Sequence, residues 1–235
     1  MKLYHDPLST DSRAVLLFAH EHRLKFDEEI VSIWDGAHLS DVFAGLNPDR
    51  TLPLLVDRNL RLTQASTILK YLAELTGSQT YPHALHPRML VNERLDWFSN
   101  ALARDFLHGF VYPQMFPACR YADGEHQAAL RRHLAAAHRK LYVLDRHFLG
   151  ASPYVCGQEV TIADYLGATY VGVGDWIGFS LADYPRIAAW MDRMRSLQSW
   201  STSHHEFEAG LIARWSPEIA ERLAGTQAGL ISDLV

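Results

Sequence analysis

The hydrophobic pattern of this chain changes from mixed periods to a purely helical one after residue 78, and this change limits the folds that the chain can adopt. Before residue 78, short alternating runs typical of strands are interleaved with runs of helical spacing. After residue 88, apolar residues recur only three or four positions apart, which is typical of helices. The segment 79–88 contains Pro82 and Pro87 and shows no period, so it is predicted to be a linker. We therefore predict a small α/β domain at residues 1–78 and a separate all-helical domain at residues 89–203.

In the first domain, the predicted order is strand, helix, strand, short helix, two strands and a final helix. The predicted elements are Lys2–Tyr4, Asp11–His22, Phe26–Val31, His38–Gly45, Pro53–Val56, Leu60–Thr63 and Ala65–Leu75. The last two strands are separated by residues 57–59, Asp-Arg-Asn, which favour a hairpin turn.

In the second domain, Thr161–Val173 is apolar on nearly all sides, so we predict a buried central helix. Thr161 is followed three residues later by Asp164, which is the pattern of a capping box. This pattern favours a structural role for Asp164 and not a catalytic one. Residues 204–235 form a tail with a predicted short helix.

Composition excludes several classes of protein. The chain has 235 residues, of which 22 are basic and 27 acidic, giving a formal net charge of −5, so nucleic acid is not expected to be its main partner. Its longest apolar run, Ala14–Ala19, is too short to cross a membrane. Two distant cysteines favour neither a disulfide framework nor a zinc site, and the 13 histidines lack metal-binding spacing, so no metal is expected. We expect a cytoplasmic protein.

Two segments are candidates for binding or chemistry, and each has a structural alternative. Pro53 opens a predicted strand, so it marks either an ordinary edge strand or a cis bond that leaves the Leu52 backbone free for an extended ligand. Ser9 precedes a helix for which Asp11 or Ser12 is the predicted N-cap. Hydroxyls there are usually caps, but a helix N-terminus after a strand also binds anions. Because Ser9 lies outside the predicted cap, its hydroxyl is expected to be free to face a pocket.

Taken together, these residues resemble the glutathione transferase family, and within it the theta-like branch. The resemblance covers nearly the whole chain. It rests on the segments LSTDSRAV (8–15), GAHLSDVFAGLNPDRTLPLLVD (36–57), LTQASTILKYL (62–72), GQEVTIADYLGA (157–168) and YPRIAAWMDRM (184–194). It implies a thioredoxin-like domain followed by a helical-bundle domain, glutathione as co-substrate, and a homodimer with one site per subunit.

The resemblance also implies a role for individual residues. Ser9 matches the serine that hydrogen-bonds the glutathione sulfur, and Leu52, before Pro53, matches the residue that pairs with the cysteinyl backbone. The other glutathione-binding positions are His38 and Arg50 near the glycyl carboxylate, and Gln64, Ala65 and Ser66 at the γ-glutamyl turn. Ala65 departs from the family pattern because it cannot supply the serine hydroxyl found there.

Three functions remain open. The first is a theta-like enzyme that activates the glutathione thiol for attack on an apolar electrophilic small molecule, by conjugation, dehalogenation, ether cleavage or isomerisation. The second is a glutathione-independent lyase or isomerase on the same fold, and the third is a non-catalytic binding module. The second-substrate pocket is predicted to be lined by helical-domain residues and closed by the tail; these side chains are Phe106, Phe110, Tyr112, Met115 and Trp215. Core packing is the alternative for the aromatic residues among them.

Overall fold

A computed structural model describes residues 1–214 of the chain. The first domain contains four short strands: β1 (Lys2–His5), β2 (Asp27–Ile30), β3 (Leu54–Asp57) and β4 (Leu60–Leu62). Its helices are α1 (Thr10–Glu21), α2 (Asp41–Ala44) and α3 (Ala65–Thr76), with a 3₁₀ turn at Ala37–Leu39 before α2. The predicted order of strands and helices is confirmed.

The four strands form one mixed sheet in the order β2-β1-β3-β4. Strand β1 runs parallel to β2 and antiparallel to β3, and β3 is antiparallel to β4. Tyr4 at the end of β1 lies opposite Leu54 at the start of β3, and Leu62 at the end of β4 lies opposite Leu55. The loops that follow β1, precede β3 and follow β4 therefore lie at the same edge of the sheet.

The second domain is entirely helical, as predicted. Helix α4 runs through Leu85–Asp96, a segment with π-type turns (Trp97–Val111) and a last turn (Tyr112–Met115). Helix α5 comprises His126–Val143 and the continuation Leu144–Leu149. The remaining helices are α6 (Ile162–Gly172, followed by a 3₁₀ turn at Val173–Ile177), α7 (Pro185–Arg195) and α8 (Gln198–Arg214).

Helix α4 begins inside the segment 79–88 that the sequence predicts to be a linker. It starts at Leu85, and Pro87 lies in its first turn. Proline is tolerated there because the first N–H groups of a helix have no partner within the helix. Part of this segment is therefore helical, although its sequence shows no hydrophobic period.

The predicted central helix, α6, is buried at every residue. Gly167 permits a close contact with Phe98, since a Cβ atom at this position would lie 2.3 Å from the Phe98 ring. The capping box is confirmed: Asp164 accepts hydrogen bonds from the Thr161 N–H at 2.8 Å and the Thr161 hydroxyl at 2.9 Å. The other carboxylate oxygen accepts from the Val155 N–H and the Trp190 Nε1–H, both at 2.9 Å. Asp164 is therefore structural.

Helix α1 joins the two domains. It packs against α3 of its own domain and against α6 and α8 of the helical domain. Because its N-terminus also lies at the sheet edge described above, residues of its first turn can contact groups from both domains.

Candidate active site

The loop between β1 and α1 is held by one buried carboxylate. Asp6 accepts hydrogen bonds from the Leu8 N–H at 2.7 Å and from the Ile33 N–H at 2.6 Å. The Asp6 carbonyl accepts from the Ser9 N–H at 2.9 Å. These three bonds fix the position of Ser9 relative to the sheet.

Ser9 is itself the N-cap of α1, which corrects the sequence-based expectation that Ser9 lies outside the cap and that Asp11 or Ser12 forms it. The helix begins earlier than predicted, at Thr10, and the Ser9 hydroxyl oxygen accepts a hydrogen bond from the Ser12 N–H at 3.2 Å. Ser12 is fully buried. The Ser9 hydroxyl uses its oxygen as an acceptor in the cap, so its proton remains available to donate to a ligand.

The next two residues connect the first turn of α1 to the helical domain. The Thr10 hydroxyl is hydrogen-bonded to the Tyr112 hydroxyl. The Asp11 carboxylate accepts a hydrogen bond from the Tyr170 hydroxyl at 2.5 Å. The residues immediately after Ser9 therefore lie at the interface between the two domains.

The Leu52–Pro53 peptide bond is cis, which is the second of the two alternatives that the sequence left open for Pro53. Leu52 lies immediately before β3, at the sheet edge that also carries the β1–α1 loop. Neither its N–H nor its C=O forms a hydrogen bond with any of the described residues. The backbone of Leu52 is thus free to pair with an extended ligand at this edge.

Helix α3 begins at the same edge. Its N-cap, Gln64, makes no side-chain capping bond, and Ala65 is the first helical residue. The N–H groups of this first turn therefore lack a side-chain acceptor and favour a bound anion. Ala65 is buried and Ser66 is half-buried.

Arg50 and His38 lie near each other at the periphery of this edge. The Arg50 guanidinium donates to the Leu39 carbonyl and to the Asp41 carboxylate, the latter at 3.1 Å. Arg50 thereby holds the 3₁₀ turn that carries His38, a half-buried residue whose Nδ1 atom has no partner among the described residues. The ion pair is weak because both side chains are well exposed to solvent.

The predicted pocket residues do not all lie in one environment. Phe106 is fully buried and contacts Phe179 with the ring centroids 5.1 Å apart. Phe106 therefore packs in the hydrophobic core, which was the alternative to a pocket position. Phe110 and Met115 are also buried, with only 5% and 2% of their surfaces exposed. Tyr112 is half-buried and reaches Thr10. Trp215 lies outside the described residues.

Three further residues lie around Tyr112, and sequence reasoning did not identify them. The ring of Phe116 contacts those of Tyr112 and Trp34, with centroid distances of 5.4 and 6.1 Å, and Trp34 comes from the first domain. The ring of His108 meets that of Tyr112 edge-on, with the centroids 5.2 Å apart, and is exposed to solvent. His108 lies one helical turn before Tyr112, and this i,i+4 spacing is the only signal that the sequence contained.

Arg13 and His204 share a buried environment between α1 and α8. Arg13 is fully buried, and none of its guanidinium nitrogens has a hydrogen-bond partner among the described residues. It stacks on Phe207 at 3.8 Å, and burial lowers its pKa to about 10. Burial, together with the positive charge of Arg13, lowers the pKa of His204 to about 3.

No group of three or more His, Cys, Asp or Glu residues in the described part of the chain could hold a metal ion. Within the same part, none of the helices combines the length and the apolar character needed to cross a membrane.

Two family models match this chain. The model for the glutathione S-transferase N-terminal domain matches residues 9–75, and the model for the C-terminal domain matches residues 103–198. Glutathione S-transferase theta-1 of Bos taurus is 32% identical over 202 residues, which cover 83% of this chain and 82% of the relative. Human glutathione S-transferase theta-2B is 30% identical over 199 residues, covering 83% and 81%.

Solved structures give the same assignment. Human glutathione transferase theta-2, in complex with glutathione and an unknown ligand, superposes with a TM-score of 0.81 at 27% identity, covering 97% of this chain and 98% of that one. Human glutathione S-transferase T1-1 in its apo form superposes with a TM-score of 0.77 at 28% identity, covering 98% and 99%.

Proposed function

Because this chain belongs to the glutathione S-transferase family and is similar to its theta class, we propose that it binds glutathione and activates the thiol through Ser9. The bound thiolate then attacks an apolar, electrophilic small molecule. One observation carries the proposal: the Ser9 hydroxyl caps α1 at the sheet edge where the Leu52 backbone makes no hydrogen bond to any residue from 1 to 214.

The role of Ser9 follows from the acidity of a thiol. A free thiol has a pKa of about 8.5, so only a few per cent is ionised at neutral pH, and the thiolate is the nucleophile. The Ser9 oxygen accepts from the Ser12 N–H, which polarises the hydroxyl toward donating its proton. A hydrogen bond from Ser9 to sulfur, together with the positive N-terminus of α1, stabilises the thiolate.

The rest of glutathione fits the groups at the sheet edge. The Leu52 N–H and C=O pair with the cysteinyl unit, as two strands pair. The γ-glutamyl carboxylate binds the first turn of α3, where Gln64 and Ser66 flank Ala65. His38 and Arg50 lie on the side of the glycyl carboxylate.

The half-buried aromatic residues Trp34, Tyr112 and Phe116 give the electrophile an apolar surface between the domains. Because these residues come from both domains, the electrophile would contact the helical domain while its reactive carbon meets the sulfur of the glutathione bound to the first domain. Conjugation, dehalogenation, ether cleavage and isomerisation all begin from this thiolate.

A homodimer is part of the same proposal. The described surface exposes apolar side chains at and beside α2, including Val42, which is 83% exposed, and Leu39. Light scattering is expected to give twice the chain mass. The two cysteines, Cys119 and Cys156, are both free thiols, which fits the proposed cytoplasmic location.

Ala65 favours a second candidate, a glutathione-independent lyase or isomerase. Calorimetric titration with glutathione, followed by a thiol-consumption assay with benzyl chloride, separates the candidates. The proposal expects both binding and consumption of the thiol. Binding without consumption would indicate a binding module, and no binding would favour the glutathione-independent enzyme.

A further inference from the structure

A cavity lies at the opposite end of α1 from Ser9, where the segment after α3 meets the loop before α6. Its volume is about 620 Å³, which is within the range of pockets that hold small organic molecules. Ser78, which lines the cavity, is bonded through its hydroxyl to the ring of His22, the C-cap of α1, at 2.7 Å. Because α1 has 12 residues and is about 18 Å long, the cavity is separate from the site at Ser9.

Two segments of the chain form the cavity at the point where the two domains join. One wall comes from residues between 78 and 91, and the other comes from residues between 156 and 161. The Ile162 N–H donates a hydrogen bond to the Thr80 carbonyl at 3.0 Å and connects the two segments. A ligand in the cavity would contact both segments at once and stabilise their arrangement.

Three exposed side chains at the cavity are free to bind a ligand: Gln79, Gln158 and Glu159. None of them makes a hydrogen bond or an ion pair with any residue from 1 to 214. The hydroxyl groups in the wall are instead bonded within the protein; that of Thr161, for example, donates to Asp164 at 2.9 Å. The ligand would therefore form its polar contacts with the two amides and the carboxylate.

The charge of the cavity is negative. Among the described residues that line it, only Glu159 carries a charge. The cations beside it on helix α4, Arg88 and Arg94, are already paired with the carboxylates of Glu74 and Glu93. The unpaired carboxylate therefore favours a ligand with a cationic group.

The remaining wall is apolar. It is formed mainly by the side chains of Pro82, Pro87, Val91 and Val160. Cys156 also lines it, and its thiol is neutral because burial raises the pKa of Cys156 to about 12. A neutral thiol is a poor nucleophile, so a ligand in this cavity is held without a covalent bond.

We propose that this cavity binds a small organic cation with an apolar body, such as an arylalkylamine. The apolar body lies against the prolines and valines, and the cationic group lies beside Glu159. This site goes beyond the proposed function, and its occupation leaves the glutathione site at the other end of α1 open.

Tryptamine, tryptophol and indole-3-acetate test this inference, because they share an indole ring and carry a cationic, a neutral and an anionic group. Calorimetric titration of tryptamine is expected to give a Kd in or below the millimolar range. Tryptophol should bind up to about 5-fold more weakly, since an exposed ion pair contributes little, and indole-3-acetate should bind more weakly still. Saturating glutathione should leave the Kd of tryptamine unchanged.

Two variants with matched controls locate the binding site. Glu159→Gln should remove the preference for tryptamine over tryptophol, whereas Glu208→Gln, which removes an exposed carboxylate on α8, should keep it. Gln158→Trp should fill the cavity and abolish binding of both ligands, whereas Gln127→Trp, at an exposed position of α5, should not. Melting temperatures check that all four variants are folded.

The inference would be overturned if tryptamine did not bind, if it competed with glutathione, or if Glu159→Gln kept the preference for the cation. Binding that survives in Gln158→Trp would overturn it as well. The proposed function would stand in all of these cases, because glutathione binding and thiol consumption test it separately. A protein that binds tryptamine as expected but binds no glutathione would overturn the proposed function alone.

Discussion

Substitutions of Ser9 can separate its structural role from its chemical one. The hydroxyl caps α1 through the Ser12 N–H at 3.2 Å, and it is proposed to donate to the glutathione sulfur. Ser9→Ala removes both interactions, whereas glycine at an N-cap costs only a few tenths of a kcal/mol. Ser9→Gly therefore removes the hydrogen bond to the sulfur but keeps most of the stability that an N-cap provides. Ser9→Thr keeps both the cap and the hydrogen bond to the sulfur.

The expected magnitudes follow from these contacts. Loss of the cap in Ser9→Ala costs about 1 kcal/mol, which lowers Tm by roughly 2–4 °C for a chain of this size. Loss of a hydrogen bond to a charged sulfur costs about 1.5–3 kcal/mol, equal to roughly one to two units of thiol pKa. Turnover near neutral pH is thus expected to fall by about 10- to 100-fold in both Ala and Gly variants.

The assay is the pH dependence of kcat with benzyl chloride at saturating glutathione, measured beside Tm for all four proteins. The Ala and Gly profiles should move to higher pH together, while only the Ala variant loses substantial stability. A Gly variant with wild-type turnover and an unshifted profile would show that Ser9 is only a helix cap.

Three further predictions concern other residues. Ala65→Ser should tighten glutathione binding by up to about 1.5–3 kcal/mol, because a hydroxyl then reaches the γ-glutamyl carboxylate; unchanged affinity by calorimetry would place that carboxylate elsewhere. Asp164→Asn should lower the unfolding free energy by about 3 kcal/mol, since it disturbs a buried acceptor of four hydrogen bonds; it should leave glutathione affinity intact below Tm, and a loss of affinity in the folded variant would contradict a structural role. His204 has a pKa lowered to about 3 in the folded state, so below about pH 6.5 the unfolded chain binds more protons than the folded one. As the pH is lowered, this group therefore reduces the free energy of unfolding by up to about 1.4 kcal/mol per pH unit. His204→Gln should flatten that slope in denaturant titrations between pH 6.5 and pH 4, and an unchanged slope would show that His204 does not cause it.

Features that depend on neighbours in the sequence were predictable. The capping box of Thr161 and Asp164 is a local pattern, and so is the proline that opens β3. The alternation of strands and helices was also readable, because each element of the first domain has its own period.

Features that depend on distant residues were not predictable. The contacts Thr10–Tyr112 and Asp11–Tyr170 join residues 102 and 159 positions apart, and no local pattern indicates them. The sequence predicts the wrong N-cap for α1 because Ser9, Asp11 and Ser12 are all good N-cap residues, and only the backbone shows where the helix begins. Phe106 and Tyr112 both carry aromatic rings on α4, yet Phe106 is fully buried in the core and Tyr112 reaches Thr10 of the first domain.

The most direct test of the central claim is a titration of the glutathione thiol itself. The ultraviolet absorbance of the thiolate, followed against pH with glutathione bound to the wild-type protein and to Ser9→Gly, gives the thiol pKa in each complex. The account predicts a pKa about two units below that of free glutathione in the wild-type complex, equal to roughly 2.7 kcal/mol, and most of this shift lost in Ser9→Gly. A bound thiol that titrates as it does in water, or a shift that Ser9→Gly fully retains, would contradict the account.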